Sequence, residues 1–172
     1  MNRKLHLILL VVVGLALSAC SGKKDQVVRD DTGTETTTPV ASNDMYGTGM
    51  SQAELSALGI MGNPLDYKTL YFEYNSSAID TRSEVIARAH ARELARRGGG
   101  RVTLEGHCDE RGTRDYNLAL GERRSKAVES LMAATGVGGS TINSISYGEE
   151  RPVDTGHSES AWQKNRRVEI SY

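Results

Sequence analysis

At 172 residues, the chain is long enough for one domain with a tail and too short for two domains of ordinary size. Its 21 Lys and Arg residues nearly balance its 22 Asp and Glu residues, which gives a formal net charge of -1; a nucleic-acid-binding protein usually carries a basic excess. Two cysteines are too few for a disulfide scaffold or a cysteine-rich zinc site. The composition therefore predicts one ordinary domain and no nucleic-acid partner.

The first residues have the pattern of an export signal. Arg3 and Lys4 precede an apolar run over 7–17, and a run of this length makes only about 16 Å of helix against about 30 Å of hydrocarbon. It therefore predicts a signal peptide over 1–19. The small residues before Cys20 resemble the lipobox of bacterial lipoproteins, which makes Cys20 the acylated N-terminus; a plain signal peptide is the alternative. By the same resemblance, Ser21 favours the outer membrane.

Residues 20–66 are predicted to form a lipidated N-terminus and a flexible tether. The segment is polar, rich in Thr and Gly at 32–38, and has no sustained apolar period. Such a composition buries too little apolar surface to offset the entropy cost of ordering the chain. Ser51 and Glu54 fit a capping box, which allows a short helix before Gly59.

From residue 67 to 172 the pattern becomes regular and predicts one α/β domain. Alternating apolar residues predict strands over 70–74, 102–107, 142–147 and 167–172. Helical spacing predicts a helix from a Thr81–Glu84 capping box to Arg97, a second from 115 or 116 to 135, and a short one over 158–164. The order βαβαβ-β, with long crossovers and one-sided strands, predicts a two-layer α/β sandwich: a mixed sheet with two main helices on one face.

A dense polar segment over 105–117 joins the second strand to the second long helix, where α/β proteins often bind ligands. On that helix, Leu120, Arg124 and Val128 lie four residues apart, so an arginine interrupts an apolar row. A buried guanidinium needs a partner, and Asp109 is the nearby candidate; the alternative is that Arg124 lies at the edge of the row and extends to solvent. An Asp–Arg pocket suits a zwitterionic ligand.

Several motifs occur in an order that resembles the OmpA-like peptidoglycan-binding domain family. They are Gly-His-Cys-Asp-Glu-Arg-Gly-Thr over 106–113, Tyr-Asn at 116–117, Leu-Gly-Glu-Arg-Arg over 120–124, Ser-Tyr-Gly-Glu over 146–149 and Asn-Arg-Arg-Val over 165–168. The likeness covers about residues 67–172, and the lipobox and tether are similar to those of the family's lipoproteins. It implies binding of meso-diaminopimelate in the peptidoglycan stem peptide, with these contact residues: Asp109 and Arg124 for the two ends of the side chain, Arg111 and Leu120 beside them, and Tyr74 and Asn75 from the first-strand loop.

The same resemblance implies a structural role in the cell envelope. It predicts a lipoprotein held in the outer membrane by acyl chains on Cys20 and attached to the cell wall, without cofactor, metal or catalysis. It also implies TolB and other Tol proteins as partners, with a role in envelope integrity and cell division. A motor stator domain is another OmpA-like module, but the lipobox and the absence of a transmembrane run argue against it.

Two enzymatic alternatives use the same segment. His107, Cys108, Asp109 and His157 are metal-ligand types, and Cys108 activated by His107 would be a nucleophile. Neighbouring strand residues point to opposite sides, which disfavours both, but a periplasmic hydrolase or metal-dependent enzyme on this scaffold stays open.

Two further side chains are interpreted as structural. His90 lies in an apolar helical row and is predicted to be a core residue with hydrogen-bond partners. Trp162 is predicted to anchor the last strand by packing.

Overall fold

The computed structural model describes residues 47–137 and 141–172. The predicted signal peptide, Cys20 and the first part of the predicted tether therefore lie outside the described residues. Within the two described ranges, no helix is both long enough and apolar enough to cross a bilayer.

Four helices begin at side chains that cap free backbone N–H groups. Helix α1 covers Gln52–Ala57, α2 Thr81–Arg96, α3 Arg114–Ala134 and α4 Glu159–Asn165. The predicted Ser51–Glu54 capping box is present at α1. The predicted Thr81 box is wrong by one residue, because Asp80 caps α2 and its carboxylate accepts from the Ser83 N–H at 2.7 Å. Asp caps a helix as well as Ser or Thr does, so the local pattern does not separate these candidates.

The four strands form one mixed sheet. Strand β1 covers Thr69–Tyr71, β2 Val102–His107, β3 Ile142–Gly148 and β4 Arg167–Ser171, in the spatial order β1-β4-β2-β3. Strands β2 and β3 are parallel, whereas β4 runs antiparallel to both β1 and β2. The last strand thus lies between the first two. Strand β1 is shorter than the predicted 70–74 because the chain turns after Phe72, whose N–H still donates to the Arg166 carbonyl at 2.9 Å.

Helices α2 and α3 pack against each other and against the sheet, which confirms the two-layer sandwich. Buried apolar side chains from both layers form the core, with Ile86 of α2, Val128 of α3 and Leu104 of β2 fully buried. His90 is a core residue as predicted, since its ring nitrogens lie 2.9 Å from the Tyr67 carbonyl and 2.9 Å from the Tyr172 hydroxyl.

A close approach of two glycines fixes α3 on the sheet. A Cβ added at Gly106 of β2 would overlap the carbonyl oxygen of Gly121 on α3. Only glycine at 106 allows the helix backbone to lie this near the strand. The contact lies three residues before Asp109 in the chain and three before Arg124, so it positions both elements that carry the predicted site.

The folded part begins before residue 67. Leu55 of α1 and Ile60 are 3% and 0% exposed, and both belong to the core cluster. The end of the segment predicted as a tether is therefore packed onto the domain.

Replacement of Ile60 by alanine tests this packing. We expect Ile60→Ala to lower the free energy of unfolding by about 3 kcal/mol, because it leaves a cavity in the core. Urea unfolding followed by circular dichroism measures the change. Met61→Ala is the matched control, since Met61 is 69% exposed. Equal stability of the two variants would contradict the packing of this segment.

Candidate functional site

A pocket of about 140 Å³ opens where the loop after β1, the loop after β2 and the first turns of α3 meet. Residues from all three segments line it, and Arg166, between α4 and β4, closes one side. The pocket brings together all six side chains predicted as contacts, namely Tyr74, Asn75, Asp109, Arg111, Leu120 and Arg124. Cys108, Gly112, Tyr116, Asn117 and Arg166 complete the lining.

Arg124 forms the buried floor of the pocket and is 0% exposed. Its guanidinium donates to the backbone carbonyls of Glu73, Ser76 and His107 at 3.0, 2.8 and 2.8 Å. The predicted ion pair with Asp109 is therefore wrong, as is the alternative in which Arg124 extends to solvent. The carbonyls of Glu73 and Ser76 belong to the loop after β1, and that of His107 to the last residue of β2, so the loop and the end of the strand both meet the helix at Arg124.

The charge of Arg124 has no carboxylate partner within ion-pair distance in the part of the chain that the structure describes; the nearby carboxylate of Asp109 pairs with other arginines. Three backbone carbonyls and the sulfur of Cys108 accept hydrogen bonds from four of its five N–H groups, and they supply only partial charges. Burial lowers the pKa of Arg124, which shows that the environment disfavours its charge. A carboxylate that entered the pocket would meet a desolvated guanidinium, the arrangement in which a charge-assisted hydrogen bond is strong.

Asp109 is 4% exposed and is held by two arginines. Arg111 donates its backbone N–H at 3.0 Å and its Nε at 3.2 Å to Oδ1, and its Nη2 to Oδ2 at 2.8 Å. Arg166 donates Nη1 to Oδ2 at 3.2 Å. Burial alone would raise the pKa of Asp109, but the hydrogen bonds from the two arginines outweigh it and hold the pKa below its ordinary value. The carboxylate is therefore ionised.

Arg111 lies at the mouth of the pocket between two aromatic rings. The centroids of Tyr74 and Trp162 are each 4.1 Å from its guanidinium carbon. The Trp162 indole N–H donates to Glu110 at 2.9 Å. Trp162 therefore contacts the site loop, a role that the sequence interpretation missed.

The rim of the pocket depends on a residue in the left-handed region. Asn75 has a φ of 51°, a conformation that Asn adopts more readily than most residues. Its side-chain oxygen accepts a hydrogen bond from the Tyr116 hydroxyl. This contact joins the loop after β1 to the first turn of α3. Leu120, 5% exposed, supplies the apolar wall beneath.

Asn117 fixes the loop that carries Asp109. Its side-chain amide donates to the carbonyls of Asp109 and Arg111 at 3.1 and 3.2 Å, and also to the Glu149 carboxylate. One buried side chain on α3 thus holds the loop against the helix. The sequence motif contains Asn117, but a local sequence pattern does not show which groups its side chain binds.

The geometry does not form the Cys–His pair that nucleophilic catalysis requires. The Cys108 thiol donates to the Asn117 carbonyl at 3.2 Å, and burial raises its pKa to about 11. The His107 ring stacks instead on Tyr147, with centroids 5.5 Å apart, and burial lowers its pKa to about 4. Within the described ranges, no group of three or more His, Cys, Asp or Glu side chains is arranged to hold a metal ion.

The fold and this polar pocket define an OmpA-like domain, and comparisons with known proteins agree. The OmpA family model matches residues 71–166. A peptidoglycan-associated lipoprotein of Pasteurella multocida is 37% identical over 99% of both chains, and one of Pseudomonas aeruginosa is 52% identical over 59% of this chain and 60% of its own length. The crystal structure of the Burkholderia pseudomallei peptidoglycan-associated lipoprotein has a TM-score of 0.62 at 36% identity, covering 63% of this chain and 92% of that one.

The chain belongs to the OmpA family, among the peptidoglycan-associated lipoproteins. The match spans 60% of the length of the Pseudomonas aeruginosa relative and 61% of the length of another relative, from Pseudomonas putida.

Substitution of Arg124 tests its role in the site. We expect Arg124→Met to lower the free energy of unfolding by about 3 kcal/mol, because three backbone carbonyls lose their donor. Arg123→Met is the matched control, since Arg123 is the exposed neighbour on the same helix. Urea titration of both variants measures the difference. If Arg124→Met were no less stable than Arg123→Met, the carbonyl contacts would be of no energetic importance.

Proposed function

We propose that this protein binds peptidoglycan non-covalently through the diaminopimelate of the stem peptide. The observation that carries the proposal is the buried guanidinium of Arg124, which pairs with no carboxylate of the described residues and lies in the same pocket as the ionised Asp109. The relatives are named peptidoglycan-associated lipoproteins, which supports peptidoglycan as the ligand.

The ligand's chemistry matches the pocket at both ends. The free end of a diaminopimelate side chain carries a carboxylate and an ammonium group on one carbon. In our proposal the carboxylate binds Arg124 and the ammonium binds Asp109. Leu120 packs against the methylene chain, and Tyr74 and Asn75 form the rim above it. A stem peptide with lysine in this place has the ammonium only and leaves Arg124 without a partner.

The pocket binds this ligand without cleaving it. The Cys108 thiol donates to the Asn117 carbonyl and burial raises its pKa to about 11, so Cys108 is not an activated nucleophile. A role as attachment to the cell wall therefore fits the site better than a periplasmic hydrolase.

Sedimentation with purified sacculi tests the proposal. We expect the protein to sediment with diaminopimelate-containing peptidoglycan at least about tenfold more strongly than with lysine-containing peptidoglycan, since a charge-assisted hydrogen bond contributes about 1.5–3 kcal/mol. Asp109→Asn should lower the affinity by a similar factor. Mass spectrometry of the recovered sacculi should show uncleaved stem peptides.

The matched control is Asp154→Asn, which removes a carboxylate that pairs with Lys164 outside this pocket. Circular dichroism of each variant separates loss of binding from loss of fold. Unchanged sedimentation of a folded Asp109→Asn variant would disprove the site.

We further propose the envelope arrangement that the family resemblance implies. Residues 1–19 are the signal peptide, Cys20 carries the anchor, the residues between Cys20 and α1 form the tether, and the domain reaches the cell wall from the outer membrane. Each acyl CH₂ buried in the bilayer contributes about 0.8 kcal/mol, so several chains give a stable anchor. As part of the Tol-Pal system, the domain would dock on TolB and other Tol proteins and support envelope integrity during cell division.

Cysteine replacement tests the anchor. We expect Cys20→Ser to move the protein from the outer-membrane fraction to the soluble periplasm, because the acyl chains have no attachment atom. Cys108→Ser should stay with the membrane, since Cys108 is buried in the domain. Cell fractionation with immunoblotting measures both, and cross-linking of the membrane-bound protein should capture TolB. A Cys20→Ser protein that stays in the outer membrane would rule out acylation as the anchor.

A further inference from the structure

Asp109 is already saturated by cations in the free protein. Its two oxygens accept four hydrogen bonds, three from Arg111 and one from Arg166. One carboxylate thus pairs with two guanidinium groups. A ligand ammonium placed at Asp109 would be the third cation of a cluster that holds two carboxylates, Asp109 and Glu159, and the three cations would repel one another in a poorly solvated site. Either no ammonium binds here, or one of the arginines must leave.

The two arginines are held very differently. Arg166 has a side chain that is 3% exposed, and it also donates to the Phe72 carbonyl at 3.0 Å and to Glu159 at 2.7 Å. Arg111 has a side chain that is 29% exposed, on a surface loop. Besides Asp109, its side chain has an ion-pair contact of 3.4 Å with Glu159. Arg111 makes the shorter bond to Asp109 and contacts two rings, but it is the more exposed of the two arginines and is therefore the one that can move towards solvent.

Glu159 is placed to receive Arg111. This carboxylate is 61% exposed and lies at the start of α4, outside the pocket lining. It already binds Arg166 through Oε1, and its Oε2 lies 3.4 Å from Arg111 Nη1, so a small shift of the guanidinium would complete a hydrogen bond to Glu159. The rings of Tyr74 and Trp162 both contact Arg111. A planar guanidinium can shift between two rings and keep contact with both.

We propose that Arg111 is an internal cation that fills the ammonium half of the pocket, and that a bound ligand's ammonium displaces it from Asp109 onto Glu159. This inference rests on the proposed binding of diaminopimelate and gives Arg111 a different role from the direct contact that the family resemblance implies. Arg111 then sets the selectivity of the site. A ligand ammonium that the ligand's own carboxylate fixes in the pocket can displace Arg111, whereas an ammonium without that carboxylate cannot. Glu159 is a positioning residue that stabilises the displaced state without touching the ligand.

Calorimetry with a matched pair of ligands tests the exchange in the purified protein. The first ligand is the tripeptide L-Ala-γ-D-Glu-meso-diaminopimelate, and the second lacks only the amino group at the free end of diaminopimelate. We expect Arg111→Gln to strengthen binding of the first ligand by about threefold or more, because the competing cation is gone. We expect Glu159→Gln to weaken it by a similar factor, because the displaced guanidinium loses its second partner. The second ligand should bind all variants alike.

A control and an optical signal accompany the titrations. Glu93→Gln is the matched control, since Glu93 also pairs with two arginines but lies outside the pocket lining. Trp162 is the single tryptophan of the chain, so its fluorescence reports the guanidinium stacked on it. Emission should change when the first ligand binds the wild-type protein, and should not change with the second ligand or in Arg111→Gln.

The outcomes separate this inference from the proposed function. If Arg111→Gln weakens binding of the first ligand, or leaves it unchanged, then Arg111 is not a competing cation and the exchange is disproved, while binding by the wild-type protein still supports the proposed function. If the wild-type protein binds neither ligand, the proposed function fails and the exchange fails with it.

Discussion

The buried guanidinium of Arg124 is the interaction on which the site depends. One side chain on α3 donates to carbonyls from the loop after β1 and from the end of β2, so it joins three segments that are distant in sequence. Backbone oxygens accept hydrogen bonds from three of its five N–H groups and supply no full negative charge. The same residue therefore closes the fold at this edge of the sheet and leaves a cationic floor in the pocket.

Much of the fold could be predicted from the sequence because, in most elements, apolar residues recur with the period of a strand or of a helix. Alternation located β2, β3 and β4 closely, and the four-residue row of Leu120, Arg124 and Val128 marked the buried arginine. The motif resemblance selected six side chains that the structure places around one pocket. Those parts of the prediction depend on local pattern or on a likeness spread over the whole domain.

The remainder depends on contacts that no local pattern contains. Arg166 pairs with Asp109 because β4 inserts between β1 and β2. This tertiary arrangement decides which of the three pocket arginines, Arg111, Arg124 and Arg166, pair with Asp109. Ile60 follows a helix of one or two turns in a polar segment, too short for a detectable period, yet the core covers it completely. Near-neutral overall charge also concealed a pocket in which three arginines surround one aspartate.

The central position of β4 has a consequence for how the protein folds. Its partners β1 and β2 come from the first part of the domain, whereas β4 consists of the last residues of the sequence, so the sheet closes through contacts of long sequence separation. Such topologies fold slowly, because the ends of the chain must meet before the gain in contacts offsets the loss of entropy. Until β4 is available the sheet cannot close, because β1 and β2 have no direct pairing and are joined only through β4.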